Sequence, residues 1–183
     1  MKVTLKKARG LVEWMQVYRL YRQAFPRSEQ KPFSIIFKMA YRGTTDVWCM
    51  KQHGRFVGFA TTINGSKDVL LDYLAVKPSC RGGGVGGKTL LALQAQYRGR
   101  GFFVEIEDPF KPGPDQQDRI RRKNFYRTYG MEPFGVMACV FGVDMELLGR
   151  DCYLDFDAYQ AFYRENYSPW AAQHLEARPY PKT

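Results

Sequence analysis

The stretch LLDYLAVKPSCRGGGVGGKTLL, residues 70–91, decides which fold we expect for this chain. Its first part, up to Val76, is mainly apolar and indicates a strand, and the Leu- and Ala-rich sequence after Lys88 indicates a helix. Between them, five of the six residues 82–87 are glycines, which let the main chain approach a ligand closely. Backbone N–H groups and the dipole at a helix N-terminus favour anions. The segment therefore predicts a cradle for phosphate groups.

The flanking sequence predicts an α/β chain with antiparallel hairpins before the glycines. His53-Gly54 and Asn64-Gly65 separate β-type runs and are typical of hairpin turns. Leu11, Met15, Tyr18 and Phe25 recur at helical spacing and indicate a first helix. The predicted strands cover residues 3–5, 47–51, 55–63, 69–76, 102–106, 136–143 and 145–148, and the predicted helices cover residues 11–25, 33–41, 89–97, 115–129 and 156–167.

The composition narrows the class of protein. The chain has 183 residues, of which 45% are hydrophobic and 15% aromatic, which is enough for one core and excludes wholesale disorder. The net charge is 28 − 18 = +10, which favours an anionic partner. No apolar run is long enough to span a membrane, no CxxC pair exists and the two histidines lie far apart. We expect a cytoplasmic protein with no metal site and no membrane partner.

Two overlapping motifs in the glycine turn predict different chemistry. Residues 82–89 satisfy G-x-x-x-x-G-K-T, the P-loop pattern of ATP- and GTP-binding proteins, and residues 81–86 satisfy R-x-x-G-x-G. A P-loop follows its strand almost immediately and opens a parallel domain. Here five residues, 77–81, intervene, and the preceding strands form antiparallel hairpins. This context favours the second motif, and nucleotide binding through residues 82–89 is kept as an alternative.

At these residues the sequence resembles the GNAT superfamily of acetyl-CoA-dependent N-acetyltransferases. The family signature is a strand ending in Val, a short turn with Pro, and R/Q-x-x-G-x-G/A. A second family feature, a helix ending in F/L-Y-x-x-x-G-F/M, is matched by residues 124–131, NFYRTYGM. The resemblance implies a single-domain α/β fold with a mixed, mostly antiparallel sheet flanked by helices. Residues 1–150 would form the acetyltransferase domain, and residues 151–183 would form a C-terminal helix and tail packed on it.

The resemblance also implies which residues bind acetyl-CoA. The main chain of Leu74, Ala75 and Val76 would pair with the pantetheine arm, and Arg81, Lys88 or the basic helix of residues 118–127 would contact the remaining phosphate. Two positions depart from the family, because Arg119 and Arg122 stand where Asn and Ala are common, and Asn124 is the candidate substitute for that contact. The residues whose N–H groups would hold the pyrophosphate are Gly82, Gly83, Gly84, Val85, Gly86 and Gly87.

Acetyl transfer to an amine requires a base for the ammonium proton and an acid for the leaving thiolate. By resemblance, Tyr126 occupies the position of the general acid. Asp72 lies four residues before Val76, a place where many members of the family carry an acid. Glu105 lies in an apolar strand, where a carboxylate is costly unless it is paired or faces a pocket. These two are the candidate bases, with Glu105 slightly preferred.

We therefore expect an acyltransferase enzyme that acetylates a primary amine of a small molecule or a protein, with a homodimer as a possible assembly and no nucleic-acid partner. Besides nucleotide binding through residues 82–89, the alternatives are a catalytically silent CoA-binding module and a basic nucleic-acid-binding module. The Arg-rich helix around residues 119–127 keeps the last alternative open.

Overall fold

The structure is a computed structural model that describes residues 2–181, except for the side chain of Ser28. The described chain forms two compact units. The first consists of the residues up to Asn64 together with Leu71–Arg98, and the second consists of Gly65–Leu70 together with the residues from Gly99 onward. Each unit combines a set of neighbouring strands with helices.

In the first unit, the strands lie in the order β1-β2-β3-β4. Antiparallel pairing joins β1 to β2 and β2 to β3, with Leu5 opposite Met50 and Val47 opposite Thr61. The elements are β1 (Thr4–Lys7), α1 (Leu11–Ala24), α2 (Phe33–Tyr41), β2 (Thr45–Gln52), β3 (Arg55–Asn64), β4 (Asp68–Val76, in this unit from Leu71) and α3 (Val85–Gln96).

The core of the first unit forms where α1 packs on the strands. Val17, Leu20 and Tyr21 of α1 are buried in one cluster with Phe59 and Tyr73. Of the apolar residues that indicate this helix in the sequence, Phe25 packs against this cluster. The other three, Leu11, Met15 and Tyr18, lie on another side of the helix and are 78%, 42% and 44% exposed. The helix is confirmed, and its buried face is the one that carries Val17 and Tyr21.

In the second unit, the strand order is β5-β7-β6-β8, and every pair is antiparallel. The fifth helix packs on β5, because Phe103 contacts Tyr159 and Phe162 edge to face. The elements are β5 (Gly101–Glu107), α4 (Gln116–Thr128), β6 (Glu132–Val140), β7 (Val143–Arg150), α5 (Phe156–Asn166), α6 (Pro169–Gln173) and β8 (Leu175–Arg178).

Several details differ from the prediction. Strand β6 begins at Glu132 rather than at residue 136. Helix α3 begins at Val85 rather than at residue 89, so the last glycines belong to its first turn. The hairpin turn between β6 and β7 falls at Phe141-Gly142, where φ is +50° and +87°, so residue 143 belongs to the second strand. Asp115 lies at the N-terminus of α4, but its side chain makes no capping hydrogen bond. The proline-containing tail forms α6 and β8, which the sequence patterns do not indicate.

Candidate functional site

The glycine turn of the first unit ends in an open helix N-terminus. Gly84 is the N-cap of α3 with a φ of +69°, and no side chain caps the helix. The N–H of Lys88 bonds the Gly84 carbonyl at 3.1 Å, so the N–H groups before it have no partner within the helix. A Cβ at Gly82 would meet no atom within 4 Å. The turn therefore presents its main chain to the outside, as an anion cradle requires.

Buried side chains hold the first turn of α3 in place. Val85 is 3% exposed and packs with Val3, Met50 and Val57. Thr89 is fully buried, and its hydroxyl donates to the Val85 carbonyl at 2.9 Å. In a P-loop, this hydroxyl would have to coordinate the metal ion of the nucleotide. The geometry argues against the P-loop alternative.

Two basic side chains fold back onto the same turn. The Arg81 Nε donates to the Val76 carbonyl at 3.3 Å, at the end of β4. The Lys88 Nζ donates to the Gly83 carbonyl at 3.5 Å. Both are weak contacts with neutral oxygens at partly solvated positions, so both cations are positioned for an anionic ligand. The residues of the turn thus fit the phosphates of coenzyme A.

Strand β4 leads into this turn with alternating burial. Tyr73 and Ala75 are buried, whereas Asp72, Leu74 and Val76 are half-buried, which matches the two-residue period of a strand. The Asp72 Oδ1 lies 2.5 Å from the Lys31 Nζ, and its Oδ2 accepts a hydrogen bond from Thr61 at 3.5 Å. Lys31 lies in the segment between α1 and α2, and the sequence patterns do not reveal that it contacts this carboxylate.

The second unit holds Tyr126 on α4. Tyr126 is 7% exposed, and burial raises its pKa to about 12, against a smaller lowering by the Arg122 charge. The phenol therefore stays protonated at neutral pH and can act as a proton donor. Asn124 is exposed and lies two residues away, about 200° round the helix. The structure thus places Tyr126 and Asn124 on different faces of α4.

Glu105 of β5 is hydrogen-bonded to α5. Its Oε1 accepts hydrogen bonds from Tyr159 at 2.7 Å and from Tyr163 at 2.8 Å. Burial and the charge of Glu105 raise the pKa of Tyr159 well above its ordinary value. A proton taken up by this oxygen would have to displace one of two buried phenol donors. The sequence shows no sign of this arrangement, because the donors lie more than fifty residues after Glu105.

The basic residues of α4 are mostly engaged within the second unit. Arg122 pairs with Glu107 at 3.3 Å, and Lys123 pairs with the fully buried Glu146 at 2.8 Å. Arg119 is 7% exposed, and its Nη2 donates to the Lys111 carbonyl at 2.6 Å. Arg119 therefore contacts the loop before α4.

Comparison with known families agrees with this geometry. Residues 14–130, well over half of the chain, match the model of the Acetyltransferase (GNAT) family. This chain belongs to the GNAT acetyltransferase family. The match takes in β4, the glycine turn, α3, β5 and α4. No curated protein matches the sequence.

Solved GNAT structures share the fold at low sequence identity. One from Bacteroides thetaiotaomicron, assigned to the family as a candidate acetyltransferase, has a TM-score of 0.75 and 19% identity, covering 88% of this chain and 94% of that one. The aminoglycoside 6'-N-acetyltransferase from Enterococcus faecium has a TM-score of 0.64 and 16% identity, covering 82% and 96%. A GNAT acetyltransferase from Elizabethkingia anophelis with acetyl-CoA bound has a TM-score of 0.59 and 14% identity, covering 82% and 99%.

These comparisons confirm the predicted fold class, an α/β acetyltransferase fold with a mostly antiparallel sheet flanked by helices. They also confirm the enzyme class, a GNAT-type acyltransferase. Within residues 2–181, no helix is long and apolar enough to cross a membrane, and no group of three His, Cys, Asp or Glu side chains is placed to hold a metal.

Proposed function

We propose that this GNAT protein transfers the acetyl group of acetyl-CoA directly to a primary amine. The observation that carries the proposal is the uncapped N-terminus of α3 behind the turn at Gly84, directly after β4. Uncapped N–H groups, the helix dipole and the Arg81 and Lys88 side chains together suit a pyrophosphate. Acetyl-CoA, when bound, supplies an acetyl group activated as a thioester.

In this proposal, the first unit binds the acyl donor. The N–H groups of residues 82–87 hold the pyrophosphate, and the main chain of Leu74, Ala75 and Val76 pairs with the pantetheine arm. Lys88 contributes positive charge at the first turn of α3. Asn124 stays a candidate for a further contact, although its exposed position on α4 gives it little support.

We assign the acid role to Tyr126 and the base role to Asp72 ahead of Glu105. Tyr126 qualifies because its pKa of about 12 keeps the phenol protonated in any ordinary assay. Asp72 is preferred because it already contacts a primary ammonium group, that of Lys31. Glu105 is the less favoured base because both hydrogen bonds to its Oε1 come from buried phenols.

We propose a small-molecule or protein amine as the acceptor, in a cytoplasmic setting. The cytoplasmic setting is supported by the four cysteines, Cys49, Cys80, Cys139 and Cys152, all of which are unbridged thiols. A homodimer is a further proposal, which a sedimentation measurement would test.

The test of acyl-donor binding is thermal unfolding with acetyl-CoA, and with Mg-ATP in parallel. A ligand at a hundred times its Kd stabilises by about 2.7 kcal/mol, which raises Tm by several degrees. Gly84→Ala is the informative variant, because alanine is strained at a φ of +69° and shifts the first N–H groups of α3. Gly43→Ala is the matched control, with a φ of +78° and open space around its Cβ. Both should lose roughly 1–2 kcal/mol of stability, but only Gly84→Ala should lose the acetyl-CoA shift.

The outcomes separate the alternatives. A Tm shift with Mg-ATP alone would replace the proposal by nucleotide binding through Lys88 and Thr89. An acetyl-CoA shift without thiol release in the presence of any amine would indicate a silent CoA-binding module. Strong, salt-sensitive binding of polynucleotides without an acetyl-CoA shift would indicate a nucleic-acid-binding module.

A further inference from the structure

In the first unit, the primary amine of Lys31 already contacts a candidate catalytic carboxylate, that of Asp72. The Lys31 Nζ lies 2.5 Å from the Asp72 Oδ1, and the two side chains are 21% and 8% exposed. The same Nζ lies 5.5 Å from the centre of the Tyr73 ring, within the range of a cation–π contact. A carboxylate and an aromatic face thus both contact this ammonium group, as they would contact the ammonium group of an amine acceptor.

The main chain around Lys31 is held in place by two phenols. The Lys31 N–H donates to the Tyr73 hydroxyl at 3.4 Å, and the Tyr21 hydroxyl donates to the Lys31 carbonyl at 3.0 Å. The Tyr73 hydroxyl in turn donates to the Glu29 carbonyl at 2.8 Å. Burial raises the pKa of both phenols, and the Asp72 charge adds to the effect on Tyr73. Both phenols therefore stay neutral hydrogen-bonding groups. Their hydrogen bonds fix the position of the Lys31 main chain, from which the side chain extends.

Asp72 lies on the strand that we propose binds the acyl donor. It shares the half-buried positions of β4 with Leu74 and Val76. A strand rises about 3.3 Å per residue, so Asp72 is about 7 Å from Leu74 and about 13 Å from Val76 along β4. A donor with its phosphates at residues 82–87 and its arm along β4 would extend from Val76 toward Asp72, with the acyl group at the far end.

We propose that Lys31 is a self-acetylation site, whose Nζ accepts an acetyl group from acetyl-CoA bound to the same chain. This inference rests on the function proposed above. Asp72 takes one proton from the Lys31 ammonium, and the resulting amine attacks the thioester carbonyl. A C–N bond forms and the C–S bond breaks. The second amine proton passes to the departing thiolate to give free coenzyme A, and Asp72 later releases its own proton to water. The product is an uncharged acetyl-lysine beside Asp72.

The test measures acetyl occupancy of individual lysines after incubation of the full chain with acetyl-CoA, by peptide mass spectrometry. Lys38 of α2 is the internal reference, because it is exposed and lies in the same unit. We expect Lys31 to be acetylated at least about tenfold faster than Lys38, as expected for base-assisted transfer. Asp72→Asn should reduce the Lys31 rate to that of Lys38. Lys31→Arg keeps the cation and removes the reactive amine, and should leave no fast site.

A second measurement uses neither acetyl-CoA nor any acetylating reagent. Coenzyme A in its thiol form should protect Lys31, and not Lys38, from reductive methylation by formaldehyde and cyanoborohydride, and Gly84→Ala should abolish the protection. If coenzyme A raises Tm but acetyl-CoA acetylates Lys31 no faster than Lys38, self-acetylation is wrong and acyl-donor binding stands. If neither a Tm shift nor protection occurs, the proposed function fails as well. Fast acetylation of Lys31 by acetyl-CoA that persists in Asp72→Asn would also overturn the proposal, because the acetylation would then not depend on the base.

Discussion

At the scale of single residues, burial sets the acid chemistry of Tyr126. Burial raises its pKa to about 12, so the phenol carries its proton across the whole pH range in which the protein can be assayed. If it protonates the departing thiolate, Tyr126→Phe should lower kcat by about a hundredfold or more. The acetyl-CoA Tm shift should be unchanged, because the hydroxyl is proposed to act on the leaving group and not in binding.

Tyr129→Phe is the control for this prediction. Tyr129 ends the same helix and, like Tyr126, has its ring 5.2 Å from that of Phe125. Removal of the Tyr129 hydroxyl should leave kcat within about twofold of the wild-type value, since no catalytic role is assigned to Tyr129. The pH profile is a further check. No loss of activity below pH 10 should trace to Tyr126, because a group of pKa about 12 does not titrate there. Equal kcat values for wild type and Tyr126→Phe would remove the acid role.

At the scale of elements, the start of α1 depends on one carboxylate. The Glu13 Oε2 accepts from the Arg9 N–H at 3.0 Å, and its Oε1 accepts from the Lys51 Nζ of β2 at 2.7 Å. The Lys51 hydrogen bond is the largest of the effects that lower the Glu13 pKa to about 2. Because the folded-state pKa is depressed, the stabilisation is complete above about pH 4.5 and is lost as the pH falls toward 2.

Glu13→Gln should therefore lower Tm by several degrees at pH 7, and the difference from wild type should shrink as the pH falls from 4.5 to 3. Thermal unfolding across this range measures both. Glu165→Gln in α5 makes the same chemical change at an exposed position and should have little effect at any pH. A Tm difference for Glu13→Gln that is the same at pH 7 and pH 3 would show that the charge on Glu13 does not tie α1 to β2.

The elements show which features a sequence can predict. Helix α2 has the predicted bounds, because Pro32 and Gly43 mark its ends locally, and β4 with its glycine turn carries enough local signal to indicate the fold. The contacts of the candidate bases, in contrast, join residues that are far apart in the sequence. Lys31 is 41 residues from Asp72, and Tyr159 is 54 residues from Glu105. Such pairs depend on tertiary packing, and no local period or motif encodes them.

At the scale of the whole molecule, the question is whether residues 151–183 belong to the same cooperative domain as residues 1–150. The second unit contains β5, α4, β6 and β7 together with the described part of the tail. Phe162 of α5 is 6% exposed, and its ring lies 5.0 Å from that of Phe103. A Cβ at Gly65 would lie only 2.6 Å from the Phe162 Cε2. The tail helix thus fills space inside this unit.

Phe162→Ala should therefore destabilise the protein by about 3–5 kcal/mol, the usual cost of removing a buried Phe ring, and should do so within a single unfolding transition. Tyr153→Ala provides the control, because it removes a tail aromatic that is 68% exposed, and it should cost less than about 1 kcal/mol. Urea unfolding followed by tryptophan fluorescence and by circular dichroism measures both variants. If Phe162→Ala leaves the main transition in place and adds an early, separate one, the tail is an independent appendage. Coincident transitions at a lower midpoint indicate that α5 is part of the acetyltransferase core, although it lies outside the residues that match the family model.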